Sequence, residues 1–167
     1  MNIDNPAHSP RGAAITRVVL ESFRLNARLL AVGERLTREF GTSAARWTVL
    51  SELELAAQPR TVPQIARALG LKRQGIQRLV DALAASGLTH YQTNPDHARA
   101  MLVELTADGR ALLARLNRRQ AQWANRIGEG LDLAVLDRTL KGLLALSAQI
   151  TAEDGSAAGR RRTRRAA

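Results

Sequence analysis

Two short helical segments followed at once by a β-hairpin pattern are the feature that most constrains the fold of this chain. The sequence Thr61-Val62-Pro63-Gln64 predicts a helix start. Thr61 can cap the helix, Pro63 lies in the first turn where a lost N–H costs little, and Gln64 occupies the reciprocal position of a capping box. Gly70 ends this helix, and a second helix is predicted over residues 72–85. The pattern is typical of a helix-turn-helix.

The segment behind the second helix favours β structure. Residues 88–93 carry Thr and Tyr in loose alternation, and residues 101–105 are β-favouring. Between them, residues 94–99 (Asn-Pro-Asp-His-Ala-Arg) are rich in turn formers. A hairpin in this position makes a winged helix-turn-helix, which we assign to residues 42–106 with Thr42 or Ser43 capping its first helix. The predicted fold class is mainly α (α+β).

The winged region is flanked by long amphipathic helices at residues 13–40 and 107–150, the second range broken near Gly128 and Gly130. Their apolar stripes exceed what a winged domain of this size needs, and a narrow leucine seam must be buried somewhere. We therefore expect these helices to form a homodimer interface. Its predicted residues are Ile15, Val19, Leu116, Trp123, Leu136, Leu140 and Leu143.

The positive charge is unevenly placed. The formal net charge is +10, and five of the positive charges lie in residues 160–165, which read Arg-Arg-Arg-Thr-Arg-Arg. Residues 1–12 and 151–167 are predicted to be disordered, the latter as a basic tail too polar and like-charged to pack. This tail is either a solvated terminus or an arm that binds phosphates through counterion release.

Composition and spacing exclude several kinds of protein. The chain has no cysteine, which removes disulfides, thiolate metal sites and thiol redox sensing. His8, His90 and His97 lack the spacing of a metal set, and no nucleophile–base pair stands out, so we predict no enzyme, no metal and no cofactor. No apolar run is long enough for a transmembrane helix, and residues 1–12 lack the apolar region of a signal peptide. A cytoplasmic, nucleoid-associated protein is expected.

These residues resemble a known family. The strings Thr61–Leu71, Gln77–Leu83, Asn94-Pro95 with Arg99, and Val103–Gly109 look like the multiple-antibiotic-resistance regulator (MarR) family, and the resemblance extends over about residues 13–150. It implies a homodimeric transcription factor, usually a repressor, on a palindromic operator in double-stranded DNA. It also implies that helix 72–85 enters the major groove and that Arg99, at the wing tip, enters the minor groove.

The residues that the resemblance carries into DNA recognition are Lys72, Arg73, Gln74, Gln77, Arg78, His97 and Arg99. Gln is suited to reading N6 and N7 of adenine, and Arg to reading guanine or binding phosphate. The wing departs from the family pattern at His97 and Ala98, where many members have Asp and a basic residue. Either Asp96 braces Arg99 instead, or His97 touches a phosphate directly. Gly75 also replaces a common phosphate-binding hydroxyl.

The resemblance further implies a pocket for a small aromatic or anionic effector, for which Arg24, Arg28, Arg46 and Trp47 are candidates. Arg24 and Arg28, four residues apart, are alternatively just one exposed side of the first helix. The function predicted is a sequence-specific dimeric repressor released by such a ligand. The alternative is an architectural protein that binds any DNA sequence through its basic charge.

Overall fold

The computed structural model describes residues 7–97 and 100–166, with side chains described for 7–97 and 100–153. Six helices and three strands follow one another in this part of the chain. They are α1 (Pro10–Arg38), α2 (Ala44–Ala56), β1 (Arg60–Thr61), α3 (Val62–Leu69), α4 (Arg73–Ala85), β2 (Thr89–Gln92), β3 (Leu102–Leu105), α5 (Ala107–Gly128) and α6 (Leu133–Ala166). This architecture confirms the predicted mainly α winged helix-turn-helix fold. The chain divides into two compact units, residues 1–120 and 121–167.

The wing contains one strand more than the predicted hairpin. The sheet is antiparallel with the order β1-β3-β2, and Arg60 and Thr61 of β1 pair with Val103 and Leu102 of β3. Two residues are too few for an alternating pattern to predict a strand, and β1 is a strand only because β3 lies beside it. Its pairing ties the start of α3 to the wing.

The core of the first unit lies between the helix-turn-helix and the wing. Its centre is formed by the inward side chains of α2, α3, α4 and the sheet, together with Leu113 of α5. The completely buried members are Val49, Leu50, Ile65, Ile76, Val80, Leu83 and Val103. Because Ile76, Val80 and Leu83 recur at helical spacing, burying them leaves the other side of α4 exposed.

The start of α5 is joined closely to the base of the wing. The Thr106 hydroxyl donates to the Gly87 carbonyl at 2.7 Å and accepts from the Gly109 N–H at 3.0 Å, while the Thr106 N–H donates to the Leu88 carbonyl. A Cβ at position 109 would overlap that Leu88 carbonyl. Residues 105–109, which read Leu-Thr-Ala-Asp-Gly, therefore hold the end of the sheet against the start of α5. We call this segment the joint between the wing and α5.

The first and last helices differ from their predicted bounds. Helix α1 begins at Pro10 because the Ser9 hydroxyl accepts from the Gly12 N–H at 3.1 Å, so the cap lies nearer the N-terminus than expected. Of the arm predicted at residues 1–12, residues 1–6 lie outside the described residues, and residues 10–12 belong to α1. Helix α6 continues through Ala166, which corrects the prediction of a disordered tail from residue 151. Ala and Arg, both good helix formers, occupy most of that extension.

The prediction that Leu116 belongs to the dimer interface is wrong. Leu116 is 1% exposed in a single chain, so it belongs to the protomer's own core. Its apolar spacing on α5 is the same whether the helix covers its own domain or a partner. Leu136, Leu140 and Leu143 of α6 and Ile15 of α1 are exposed, whereas Val19 and Trp123 are half-buried.

Candidate nucleic-acid interface

A tight turn sets the direction of α4. Gly70 ends α3 in the left-handed conformation with φ +65°, and the Leu71 N–H donates to the Ala66 carbonyl at 2.9 Å. Only a residue without a Cβ adopts this φ at no steric cost. Lys72 then occupies the N-cap position of α4 without a capping side-chain hydrogen bond, and Arg73 is the first residue of the helix.

The outward face of α4 is polar and basic. Gln74, Arg78 and Asp81 are exposed and Gln77 is half-buried, all within one arc at about 100° per residue. Lys72 and Arg73 are exposed at the start of the helix. No described residue forms an ion pair with these three cations, so their charge is directed at solvent.

Gln77 is held by a hydrogen-bond network that sequence reasoning missed. Its Nε2 donates to Asp81 Oδ1 at 2.9 Å and to the Tyr91 hydroxyl at 2.8 Å. The Tyr91 hydroxyl in turn donates to Asp81 Oδ1 at 2.7 Å. The spacing of Gln77 and Asp81, four apart on a helix, is the signal that could have predicted their contact, whereas Tyr91 lies on β2 and reaches them only through the fold.

The environment of Tyr91 keeps its hydroxyl protonated. Burial is the largest cause and the hydrogen bond to Asp81 is the next, and together they raise the pKa of Tyr91 from 10.0 to about 12. The phenol therefore remains a donor to Asp81 throughout the physiological range. This contact joins α4 to the wing.

The wing is an antiparallel ladder, in which Thr89 pairs with Leu105 and Gln92 with Leu102. At its tip, Asn94 Oδ1 accepts from the Asp96 N–H at 3.0 Å, and the Asn94 carbonyl accepts from the His97 N–H at 3.2 Å. His97 is exposed there. Arg99 and Ala98 lie outside the described residues, as does any contact of Arg99 with Asp96.

The four candidate effector residues lie on two helices, Arg24 and Arg28 on α1 and Arg46 and Trp47 on α2. Arg24 and Arg28 pair with Glu21 of their own helix at 3.2 and 3.7 Å and are largely exposed. Trp47 packs against the core of the first unit, and its Nε1 donates to Asn117 Oδ1 at 3.4 Å. Arg46 is half-buried in the first turn of α2. Ion pairs along α1 are what we expect from the alternative interpretation, in which Arg24 and Arg28 are simply one exposed side of that helix.

Other kinds of site receive no support from the described residues. Among them, no group of three or more His, Asp or Glu side chains is placed to hold a metal ion. None of the helices, as far as they are described, is long and apolar enough to cross a membrane.

A helix-turn-helix with an exposed basic second helix, followed by a hairpin that β1 completes to a three-stranded sheet, defines a winged-helix DNA-binding protein. The comparisons with known proteins identify its family. The family model described as MarR family matches residues 40–100. An uncharacterized protein of Mycobacterium tuberculosis, Rv2011c, is 37% identical over 139 residues, which is 83% of this chain and 96% of that protein.

Solved structures agree with this assignment. The crystal structure of a MarR family transcription regulator superposes with a TM-score of 0.75 at 28% identity, covering 83% of this chain and 91% of the other. BpsR of Bordetella bronchiseptica superposes with a TM-score of 0.69 at 23% identity, covering 78% of this chain and 98% of that one. CouR of Rhodococcus jostii RHA1 gives 0.65 at 21% identity, with 87% and 94% covered. The chain belongs to the MarR family of DNA-binding transcription regulators.

Proposed function

We propose that this regulator is a homodimeric repressor that recognises a palindromic operator and is released by a small aromatic or anionic ligand. The observation that carries the proposal is the face of α4, where Lys72, Arg73, Gln74 and Arg78 are exposed beside a wing. A helix of this kind fits the major groove of B-DNA, whose base edges present distinct donor and acceptor patterns. The site of action would be the nucleoid in the cytoplasm.

In this proposal each polar residue of the interface has a part. Arg73 and Arg78 read guanine or bind phosphate, Gln74 reads a base edge, and Lys72 binds phosphate at the helix start. His97 contacts the backbone from the wing, and Arg99 enters the minor groove, where a narrow groove attracts arginine.

Exposed apolar side chains support the dimer. Helix α1 exposes Phe23 at 67% and Leu30 at 58%, together with Leu25 and Leu29. Helix α6 exposes Leu140 at 56% and Leu144 at 61%. Large apolar side chains exposed on a helix mark an interaction site, and a second copy of the chain would cover them while placing two α4 helices on one operator.

The effector class is supported by two proteins of the same fold. BpsR is a protein whose DNA binding is regulated by 6-hydroxynicotinic acid, and CouR has been crystallised with p-coumaroyl-CoA. For this chain we propose an aromatic acid or its derivative. Ligand release would be a population shift toward a dimer whose two α4 helices no longer match successive major grooves.

Selection of bound duplexes from a random pool tests the repressor. We expect one inverted repeat to be bound on the order of 10³-fold more tightly than random duplex. Equal binding of all duplexes would overturn this proposal in favour of a sequence-independent architectural protein. Deleting residues 160–167 separates sequence-independent attraction from sequence-specific recognition. The deletion should reduce the salt dependence of binding and leave the sequence preference intact.

Charge-matched variants test the placement of the interface. Arg78→Ala should cost about 1–3 kcal/mol of operator affinity. Arg38→Ala, which removes the same charge from the end of α1, is the control and should have a smaller effect. Similar losses in both variants would mean that α4 contributes only bulk charge. Arg99→Ala should weaken binding and remove the preference for a narrow minor groove.

A further inference from the structure

We infer that Gln77 reads an amino group on a base with its carbonyl oxygen alone, because Asp81 and Tyr91 hold its amide nitrogen. This inference deepens the proposed function, since it presupposes that α4 lies in the major groove. It assigns Asp81 and Tyr91 as positioning residues and replaces the bidentate reading of adenine that glutamine ordinarily offers.

The orientation of the Gln77 amide follows from the chemistry of its partner. A carboxylate accepts hydrogen bonds and cannot donate them. The atom of Gln77 that lies 2.9 Å from Asp81 Oδ1 must therefore be the nitrogen. The Tyr91 hydroxyl gives its one proton to the same carboxylate oxygen and accepts from Gln77, so the direction of every bond in the network is determined.

The network engages the donor nitrogen of Gln77. Nε2 donates to two acceptors, Asp81 Oδ1 and the Tyr91 hydroxyl, so the N–H groups of the amide are directed into the network. Among the described residues none donates to Gln77 Oε1. The group that Gln77 has left for DNA is therefore an acceptor, and an acceptor in the major groove pairs with a base that presents a donor.

The network lies where DNA can reach it. Gln77, Asp81 and Tyr91 line a surface cavity of about 340 Å³, which Arg73, at the start of α4, also borders. Gln77 is half-buried, so its head group is partly exposed while its orientation is held. Preorganisation of this kind reduces the side-chain entropy lost on binding.

The bases that present donors are adenine, through N6, and cytosine, through N4, whereas guanine and thymine present acceptors at the corresponding edge. At the position that Gln77 contacts, duplexes with adenine or cytosine on the contacted strand should bind well. Duplexes with guanine or thymine there should bind about tenfold more weakly, or weaker still. A free glutamine would prefer adenine over cytosine, because it could also donate to adenine N7.

Duplex selection with the intact dimer tests the inference in three variants. Gln77→Ala identifies the dependent base pair as the one whose preference it removes. Gln74→Ala, on the same face, is the control, because it should alter the preference at a different base pair and leave this one unchanged. The double variant Asp81→Ala with Tyr91→Phe frees both N–H groups of Gln77. We expect adenine and cytosine to be accepted by the wild type and adenine to predominate in the double variant.

The inference is overturned if the wild type selects adenine alone, if the dependent base is guanine or thymine, if no base pair depends on Gln77, or if the double variant keeps the wild-type profile. A chain with no preferred sequence at all would instead overturn the proposed function. The network itself is tested without DNA by the side-chain amide resonances of Gln77. They should exchange with solvent more slowly than those of Gln74 and shift in Tyr91→Phe, and unchanged resonances would contradict the network.

Discussion

Tyr91 is the only tyrosine in the chain, so its ionisation can be observed without interference. Its hydroxyl joins β2 to Asp81 and Gln77 of α4. A single hydroxyl thus connects the wing to α4, and this contact contributes, after burial, to the raised pKa of Tyr91.

Tyrosinate absorbance should show Tyr91 titrating with a pKa of about 12, compared with 10.0 for an unperturbed tyrosine. Because the folded chain holds the proton more tightly than the unfolded chain does, this contribution to stability is present below pH 10.0 and lost as the pH rises toward 12. Asp81→Asn should lower the pKa of Tyr91, with far-ultraviolet circular dichroism as the check on folding. A wild-type pKa near 10.0 would contradict the contact.

Gly109 is the residue at which a small substitution should be most damaging. In Gly109→Ala the new Cβ would overlap the Leu88 carbonyl, so the joint between the wing and α5 must move. We expect the free energy of unfolding to fall by about 1–3 kcal/mol in denaturant titrations. The control is Gly75→Ala on α4, where an added Cβ meets nothing within 4 Å. That variant should be neutral or more stable, by about 0.5–1 kcal/mol; equal effects at both positions would contradict the joint.

At the scale of elements, the helices were more predictable than the sheet. The Thr61–Gln64 start, the Gly70 stop and the apolar spacing of Ile76, Val80 and Leu83 are local signals, readable within a few residues. Strand β1 carries no such signal. It exists because Arg60 and Thr61 meet β3, a segment far along the chain.

The start of α3 gives a prediction at this scale. Gln64 Oε1 accepts from the Thr61 backbone N–H at 2.8 Å and from its hydroxyl at 2.9 Å. Gln64→Ala should therefore lower the free energy of unfolding by about 1 kcal/mol. Gln74→Ala, at an exposed site on α4 with no hydrogen bond to another described residue, should change it little. If the two variants are equally stable, the cap contributes nothing.

For the whole molecule, the exposed leucines of α6 bear on the proposed dimer. Leu140→Glu should produce monomers in sedimentation velocity and weaken operator binding, because it places a charge within an apolar contact. Gln149→Glu adds the same side chain to the same helix, about half a turn away from Leu140 at about 100° per residue. This control should remain dimeric. A Leu140→Glu protein that stays dimeric would place the interface elsewhere.

The amino-acid order alone was enough to predict helices, caps, turns and the identity of the polar face on α4, since these depend on residues three or four positions apart. The presence of a wing was likewise readable from its composition. Three features required the folded chain: the strand at Arg60–Thr61, the burial of Leu116 within its own protomer, and the capture of the Gln77 amide by Tyr91. Each of these features depends on which distant segment of the chain packs against the residue in question. Apolar spacing and side-chain type do not identify that segment, because they are the same whichever segment packs there.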